Sequence, residues 1–239
     1  MKRLLRWVLA LPGVMALSAC LVTPGKFDSS LDIRADRSFS FTYKGEIIAS
    51  DSGKGAMSLP EPASDDADAA PAQLLQIAQG KFDSEADNGD DVQMRAIADA
   101  LSKEKGFRSA RYIGKRMFEI DYAISGRLTH AFLFPFNIDA QIVLPFVAVE
   151  LRGDDRVRVK APGFSNGFDK SQGPTLGAGG PGEDAAKALN GRFTLTTDAE
   201  IISQNQEEGA QPVPNGKRIV WRVTPLTSEA PAATLRLQR

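Results

Sequence analysis

Apolar and polar residues alternate in several short runs along the chain. Phe27, Leu31 and Ile33 fall on odd positions, Ala35-Asp36-Arg37 reads as a turn, and Phe39, Phe41 and Tyr43 resume the alternation toward Ile47 and Ile48. A period of two on both sides of a turn predicts a hairpin with one apolar face. Phe118, Ile120, Tyr122 and Ile124, set between Glu119, Asp121 and Ala123, predict a half-buried strand. Val147, Val149 and Leu151 face Val157 and Val159 across Gly153-Asp154, with Glu150, Arg156 and Arg158 pointing outward, which predicts a second hairpin. Arg192 to Thr197 and Lys217 to Val223 predict a terminal hairpin, its long polar loop carrying Asn205, Gly209 and the turn dipeptide Asn215-Gly216. Ala199 to Ile202 is also strand-like, and the tail adds an edge strand around Ala233 to Leu237.

The helical period appears in fewer places. Met94, Ile97, Ala98 and Leu101 stand at i, i+3, i+4 and i+7 within residues 92–105. Asp90 or Asp91 suits the start of that helix and Lys103, Lys105 and Gly106 its end. A stripe this narrow is the core-facing side of a domain helix. A second helix over 72–79 has Pro71 at its first position and Gly80 as its stop, and a short third runs from Glu183 to Asn190 before Gly191. The expected fold is therefore α+β, a mainly antiparallel sheet of hairpins with two or three helices packed on it.

The first residues have a different character. Lys2, Arg3 and Arg6 precede an apolar run from Trp7 to Leu17, and Leu17-Ser18-Ala19-Cys20 follows. A run of this length is too short to span a bilayer, whereas a basic start, a short apolar stretch and small residues define a cleavable signal. The segment resembles the bacterial lipoprotein signal, whose four-residue lipobox it matches at every position. That resemblance implies cleavage between Ala19 and Cys20 and diacylglyceryl transfer to the Cys20 thiol, with the membrane as partner through the acyl chains. Leu21, in place of Asp, implies export to the periplasmic face of the outer membrane in a Gram-negative cell. The expected organisation is a signal at 1–19, an acylated anchor and short tether at 20–26, and a single ectodomain over 27–239.

Composition narrows the function classes. Cys20 is the sole cysteine and His130 the sole histidine, so a disulfide scaffold or a multi-histidine metal centre is not expected. Without residues 1–19 the net charge is −4 over 220 residues. Residues 50–91 hold ten acids and two bases, a local −8, and the remainder is therefore +4. This balance lacks the basic excess of nucleic-acid binders. Ala, Pro, Ser and Asp dominate 50–73, which reads as a solvated acidic loop, and its acids lack EF-hand spacing. Residues 163–182 read as a Gly/Pro-rich loop.

Three short motifs bear on catalysis. Gly163-Phe164-Ser165-Asn166-Gly167 fits G-x-S-x-G, yet coil follows it instead of a helix, and His130 precedes it. Gly177-Ala178-Gly179-Gly180-Pro181-Gly182 fits G-x-G-x-x-G, without a preceding strand and with Pro181 inside the turn. Ser102 and Lys105 fit S-x-x-K without its companion motifs. No catalytic residue, cofactor or metal is expected. The remaining chemistry is apolar: Phe132, Phe134, Phe136 and Phe146 gather around Pro135 and Pro145. They are either core strands or the lining of a site for an apolar ligand.

The lipobox, the early strand pair, the helix, and the Phe193-Thr194-Leu195-Thr196 strand followed by Asn205, Gly216 and Val220-Trp221-Arg222 together resemble the LppM-type envelope lipoproteins. The acidic insert and the Gly-rich stretch have no counterpart in that pattern, and Asp198-Ala199-Glu200 stands where a Pro-Gly step is expected. The resemblance implies a sheet-wrapped α+β ectodomain, a lipid as ligand class and no catalytic residues. The functional expectation is a non-enzymatic, membrane-anchored envelope lipoprotein that binds a lipid or other apolar ligand. An assembly accessory that docks onto another envelope protein is the alternative.

Overall fold

The computed structural model describes residues 22–49, 85–136, 145–166 and 187–238. The hairpin expected first is formed by β1 (Val22–Ile33) and β2 (Ser38–Ala49), which pair antiparallel around a turn. Asp36 accepts hydrogen bonds from the hydroxyl and the backbone N–H of Ser38 in that turn, which hold its carboxyl below the usual value. Helix α1 (Glu85–Leu101) leads to β3 (Phe107–Tyr112) and β4 (Met117–Arg127), and β4 lies against β2. Gly106 takes a positive φ of 99° where the chain leaves the helix, and a Cβ there would stand 2.5 Å from the Tyr122 ring. Only glycine fits such a turn against such a neighbour.

The chain then builds a second sheet. Its strands are β5 (Phe132–Phe134), β6 (Val147–Arg152), β7 (Arg156–Lys160), β9 (Glu200–Gln204) and β12 (Ala232–Arg236), in the order β5-β6-β7-β12-β9, all antiparallel. The strands β8 (Asn190–Thr197), β10 (Gln211–Val213) and β11 (Gly216–Val223) complete the first sheet, in the order β10-β11-β8-β1-β2-β4-β3. Between β8 and β9 the chain crosses from one sheet to the other through Asp198 and Ala199. The Asp198 carboxylate accepts the Ala35 N–H at 2.7 Å and the Thr197 hydroxyl accepts the Ala199 N–H at 3.0 Å, so side chains hold this corner.

Several expectations are corrected here. The fold is predominantly β, two facing sheets with one complete α-helix among the described residues, not a sheet with two or three helices. The second sheet covers most of the apolar face that the extra helices were to cover. The 72–79 helix lies outside the described residues, as does most of the 183–190 segment, of which Lys187 and Ala188 are helical. The helix expected over 92–105 spans Glu85–Leu101 instead. Residues 22–26, read as tether, are strand. β12 is not an edge strand, because it pairs with β7 on one side and β9 on the other. No parallel pairing was expected, yet β1 and β8 run parallel, from Lys26 opposite Asn190 to Ile33 opposite Thr197.

The two sheets meet on an aromatic seam. Phe41, Tyr43, Phe134, Phe146, Phe164 and Phe193 are all fully buried. Phe134 from β5 lies 5.0 Å from both Phe41 and Tyr43 of β2 and 4.7 Å from Tyr122 of β4, measured between ring centroids. Phe164 stacks on Phe27 at 4.2 Å and touches Phe193, which stacks on Trp221 at 5.6 Å. Each ring pair adds about 0.5–1.5 kcal/mol beyond its buried area. The Phe27 ring also lies over Gly191 on β8, where a Cβ would stand 2.5 Å from the ring, so the parallel pairing depends on a missing side chain.

An irregularity in β1 decides which residues face inward. The register shifts between Pro24 and Phe27, and the Lys26 N–H is taken by the Glu46 carboxylate at 3.0 Å. One extra residue in a strand flips its alternation. Phe27, Ser29, Leu31 and Ile33 are buried on odd positions, whereas Val22 and Pro24 pair with Ala49 and Ile47 on the even ones. Pro24 is tolerated because β8 reaches only as far as Lys26 and, among the described residues, no other strand pairs with that stretch of β1 on that side.

All three tyrosines of the chain are held neutral past their ordinary value of 10, Tyr43 and Tyr122 by burial and Tyr112 by its hydrogen bond to Asp91. The folded state thus prefers the phenol form, so this contribution to stability is complete below pH 10 and is lost as pH rises through the raised values. Ultraviolet titration of the native chain is expected to place the tyrosinate midpoints above pH 10, and Tyr43→Phe to flatten the loss of stability above it. Phe41→Ala, at the centre of the seam, is expected to cost about 3–5 kcal/mol in a denaturant melt.

Candidate functional site

The helical stripe and the end of the first sheet enclose a cavity of about 110 Å³. Met94, Ile97 and Leu101 of α1 form one wall; Phe118, Ile120 and Tyr122 of β4 form the floor; Phe134, Pro135 and Phe136 close the side. Val22, Ile47 and Ala49 supply the end wall, Ile47 and Ala49 by the regular alternation of β2 and Val22 because of the flipped alternation in β1. The lining is almost wholly apolar. Glu104, Lys105 and Phe136 are its solvent-exposed members.

Helix α1 covers this space because both of its halves are fastened. Met94, Ala98 and Leu101 are buried, which places three of the four stripe residues against the sheet, while Ile97 is half-buried on the cavity side. At its N-terminal part, Asp90 pairs with the Arg116 guanidinium, and Asp91 accepts the Tyr112 hydroxyl. Arg116 also donates through Nε to the Ala49 carbonyl at 3.2 Å, so one side chain joins the helix to β2 and to the β3–β4 turn.

The four phenylalanines singled out in the sequence separate into two kinds. Phe134 and Phe136 line the cavity, Phe134 at its buried side and Phe136 at its exposed rim. Phe146 is fully buried between Tyr43, Phe134 and Phe164, and Phe132 packs against Phe39 and Phe41; neither lines the cavity. Sequence reasoning missed Val22 and Ile47 as lining residues. For Val22 the Pro24-Gly25 step was the available signal, since a strand interrupted there is a strand that changes face. Cys20 and Ala19 lie outside the described residues.

The described residues of the short motifs are placed as follows. Ser165 is buried and donates to the Pro162 carbonyl at 3.1 Å, at the end of the sandwich where Phe164 meets Phe27. His130 is exposed near the opposite end, just past Leu128, whose N–H reaches Arg37 in the β1–β2 turn. Ser102 donates to the Asp99 carbonyl at 2.8 Å, and Lys105 stands at the cavity rim. Gly167 and the glycines at 177–182 lie outside the described residues. Among the described residues no group of three or more His, Cys, Asp or Glu side chains is placed to hold a metal ion, and no helix is long and apolar enough to cross a membrane.

The volume limits the occupant. An apolar cavity of about 150 Å³ accepts one benzene ring and otherwise stays dry. The space under α1 is of that order, so it suits the end of one hydrocarbon chain and not a whole lipid.

No family model matches the chain, and no curated protein matches it. Among solved structures, it is similar to the folded domain of Mycobacterium tuberculosis LppM determined by NMR, with 14% identity over 91% of this chain and 92% of that one and a TM-score of 0.33. A score at that level supports no residue-by-residue correspondence.

Arg116→Met is expected to loosen α1 alone. Exposed and half-exposed ion pairs contribute up to about 1 kcal/mol, so hydrogen exchange in α1 should quicken by roughly five-fold while the β1, β2 and β8 amides keep their protection.

Proposed function

We propose that this chain is a non-enzymatic lipoprotein of the bacterial cell envelope, anchored through acyl chains on Cys20, whose ectodomain takes up the end of an acyl chain beneath α1. In a Gram-negative cell its place is the periplasmic face of the outer membrane, since Leu21 and not Asp follows the cysteine. The cavity carries the ligand reading. It is apolar along its length, it is open beside Phe136, and its only charged lining residues, Glu104 and Lys105, stand at the surface. A hydrocarbon tail gains about 0.8 kcal/mol per buried methylene. About four methylenes therefore contribute about 3 kcal/mol, enough for exchangeable capture and too little for permanent retention. The lipobox carries the anchor reading, and two or more acyl chains give stable attachment where one does not.

Each half has its own test. Growth with labelled palmitate is expected to label the chain, and Cys20→Ser to abolish the label. Native mass spectrometry of the chain from residue 21 onward is expected to retain acyl-chain adducts. Ile97→Trp fills the cavity and should remove them with the thermal midpoint nearly unchanged. Adduct-free protein after repeated lipid exposure, or adducts that survive Ile97→Trp, would count against the cavity as the binding place.

A further inference from the structure

The exposed large apolar side chains are not scattered. Five stand out among the described residues: Val92, Ile113, Phe136, Ile202 and Leu226. Strand register places four of them at one end of the sandwich. Ile113 bonds to Met117 in the β3–β4 turn, level with Ile48 of β2 and Thr23 of β1. Val92 follows Asp90 and Asp91, which are fastened to Arg116 and Tyr112 at that turn. Phe136 lies beyond Phe134 on a strand that runs from the Phe39 level toward the Ile47 level. Leu226 follows Val223, which pairs with Gly191 beside Phe27. Ile202 is on the edge strand β9.

The same end releases the N-terminus. β1 begins at Val22, so Cys20 is two residues away, a reach of about 7 Å. The sheet order sets the arrangement across this end. Leu226 extends from β11, two strands to one side of β1, and Ile113 from β3, three strands to the other. At about 4.8 Å per strand these are lateral offsets of about 10 and 14 Å, with the anchor point between them. Leu226 is 86% exposed and Ile113 51%, so each presents apolar surface at the end where the anchor leaves.

We propose that this end of the ectodomain lies flat against the lipid bilayer, with Leu226 and Ile113 seated in the headgroup region on either side of the anchor. The proposal rests on the reading of Cys20 as the acylated residue, because a reach this short holds this end, and no other, at the membrane. Three points of attachment fix an orientation that one flexible tether would leave free. The contact is apolar, not electrostatic: the acidic stretch 50–91, with its local −8, leaves the sheet at this same end after Ala49 and returns in α1.

Acylation consumes the only native thiol, so single cysteines can be placed at will. The mature acylated chain carrying Leu226→Cys, Ile113→Cys or Asp154→Cys is labelled with an environment-sensitive fluorophore and reconstituted in phosphatidylcholine vesicles. Asp154 lies at the opposite end, where its carbonyl accepts a hydrogen bond from Arg37. The expected result is a blue-shifted emission at 226 and 113, quenched by brominated lipid and largely protected from iodide, with the probe at 154 fully open to iodide. Equal iodide access at all three positions would overturn the proposal. If mass analysis finds the N-terminus unacylated, the anchor reading fails separately. The same probes in the unacylated chain carrying Cys20→Ser, mixed with vesicles, then decide: protection at 226 and 113 supports docking, and its absence overturns it.

Discussion

The contact between Phe134 and the rings of β2 and β4 is the interaction on which the rest depends. It is the point where the two sheets and the helix-covered region meet: the same ring touches Phe41, Tyr43 and Tyr122 and forms a wall of the cavity. Neither sheet is stable alone, since each presents one apolar face that water would otherwise cover. Closing that face with aromatic side chains has a geometric consequence. Large flat rings hold the sheets apart where they stand, and at the margin of the seam the second sheet gives way to α1. The cavity occupies that margin, between a surface packed by rings and a surface packed by the smaller Met94, Ile97 and Leu101 side chains.

The irregularity in β1 decides how the strand meets the cavity. Without the extra residue near Gly25, Val22 would point to the outer face and Thr23 would take its place beside Ile47 and Ala49. With it, Val22, the first described residue of the strand, becomes part of the apolar interior. The first strand thus begins inside the domain instead of hanging from it, which is why the segment expected to be a tether has no freedom to act as one.

Elements formed by neighbours in sequence were legible in the sequence. The β1–β2 and β6–β7 hairpins and β4 follow from alternation and turn chemistry that act within a few residues. Partner choice at long range was not legible. Nothing in the residues of β1 names β8 as its neighbour, and parallel pairing leaves no turn signal. The helix count was overestimated for a related reason: the apolar face of one sheet can be covered by helices or by another sheet, and alternation is the same in both cases. Of the four candidate phenylalanines, alternation could place Phe132, Phe134 and Phe136 on one face. It could not tell that the face passes from packed seam to open margin between Phe134 and Phe136.

The placement of β1 has a mechanical consequence. It is the middle strand of seven, bonded to β2 on one side and to β8 on the other along most of its length. Any pull on the residues before Val22 is directed along the strand, so it loads both ladders in shear, with all their hydrogen bonds sharing the force at once. A terminal strand at a sheet edge, pulled sideways, would open one bond after another. The domain is therefore joined to whatever precedes Val22 at its strongest point under tension, and it yields there last.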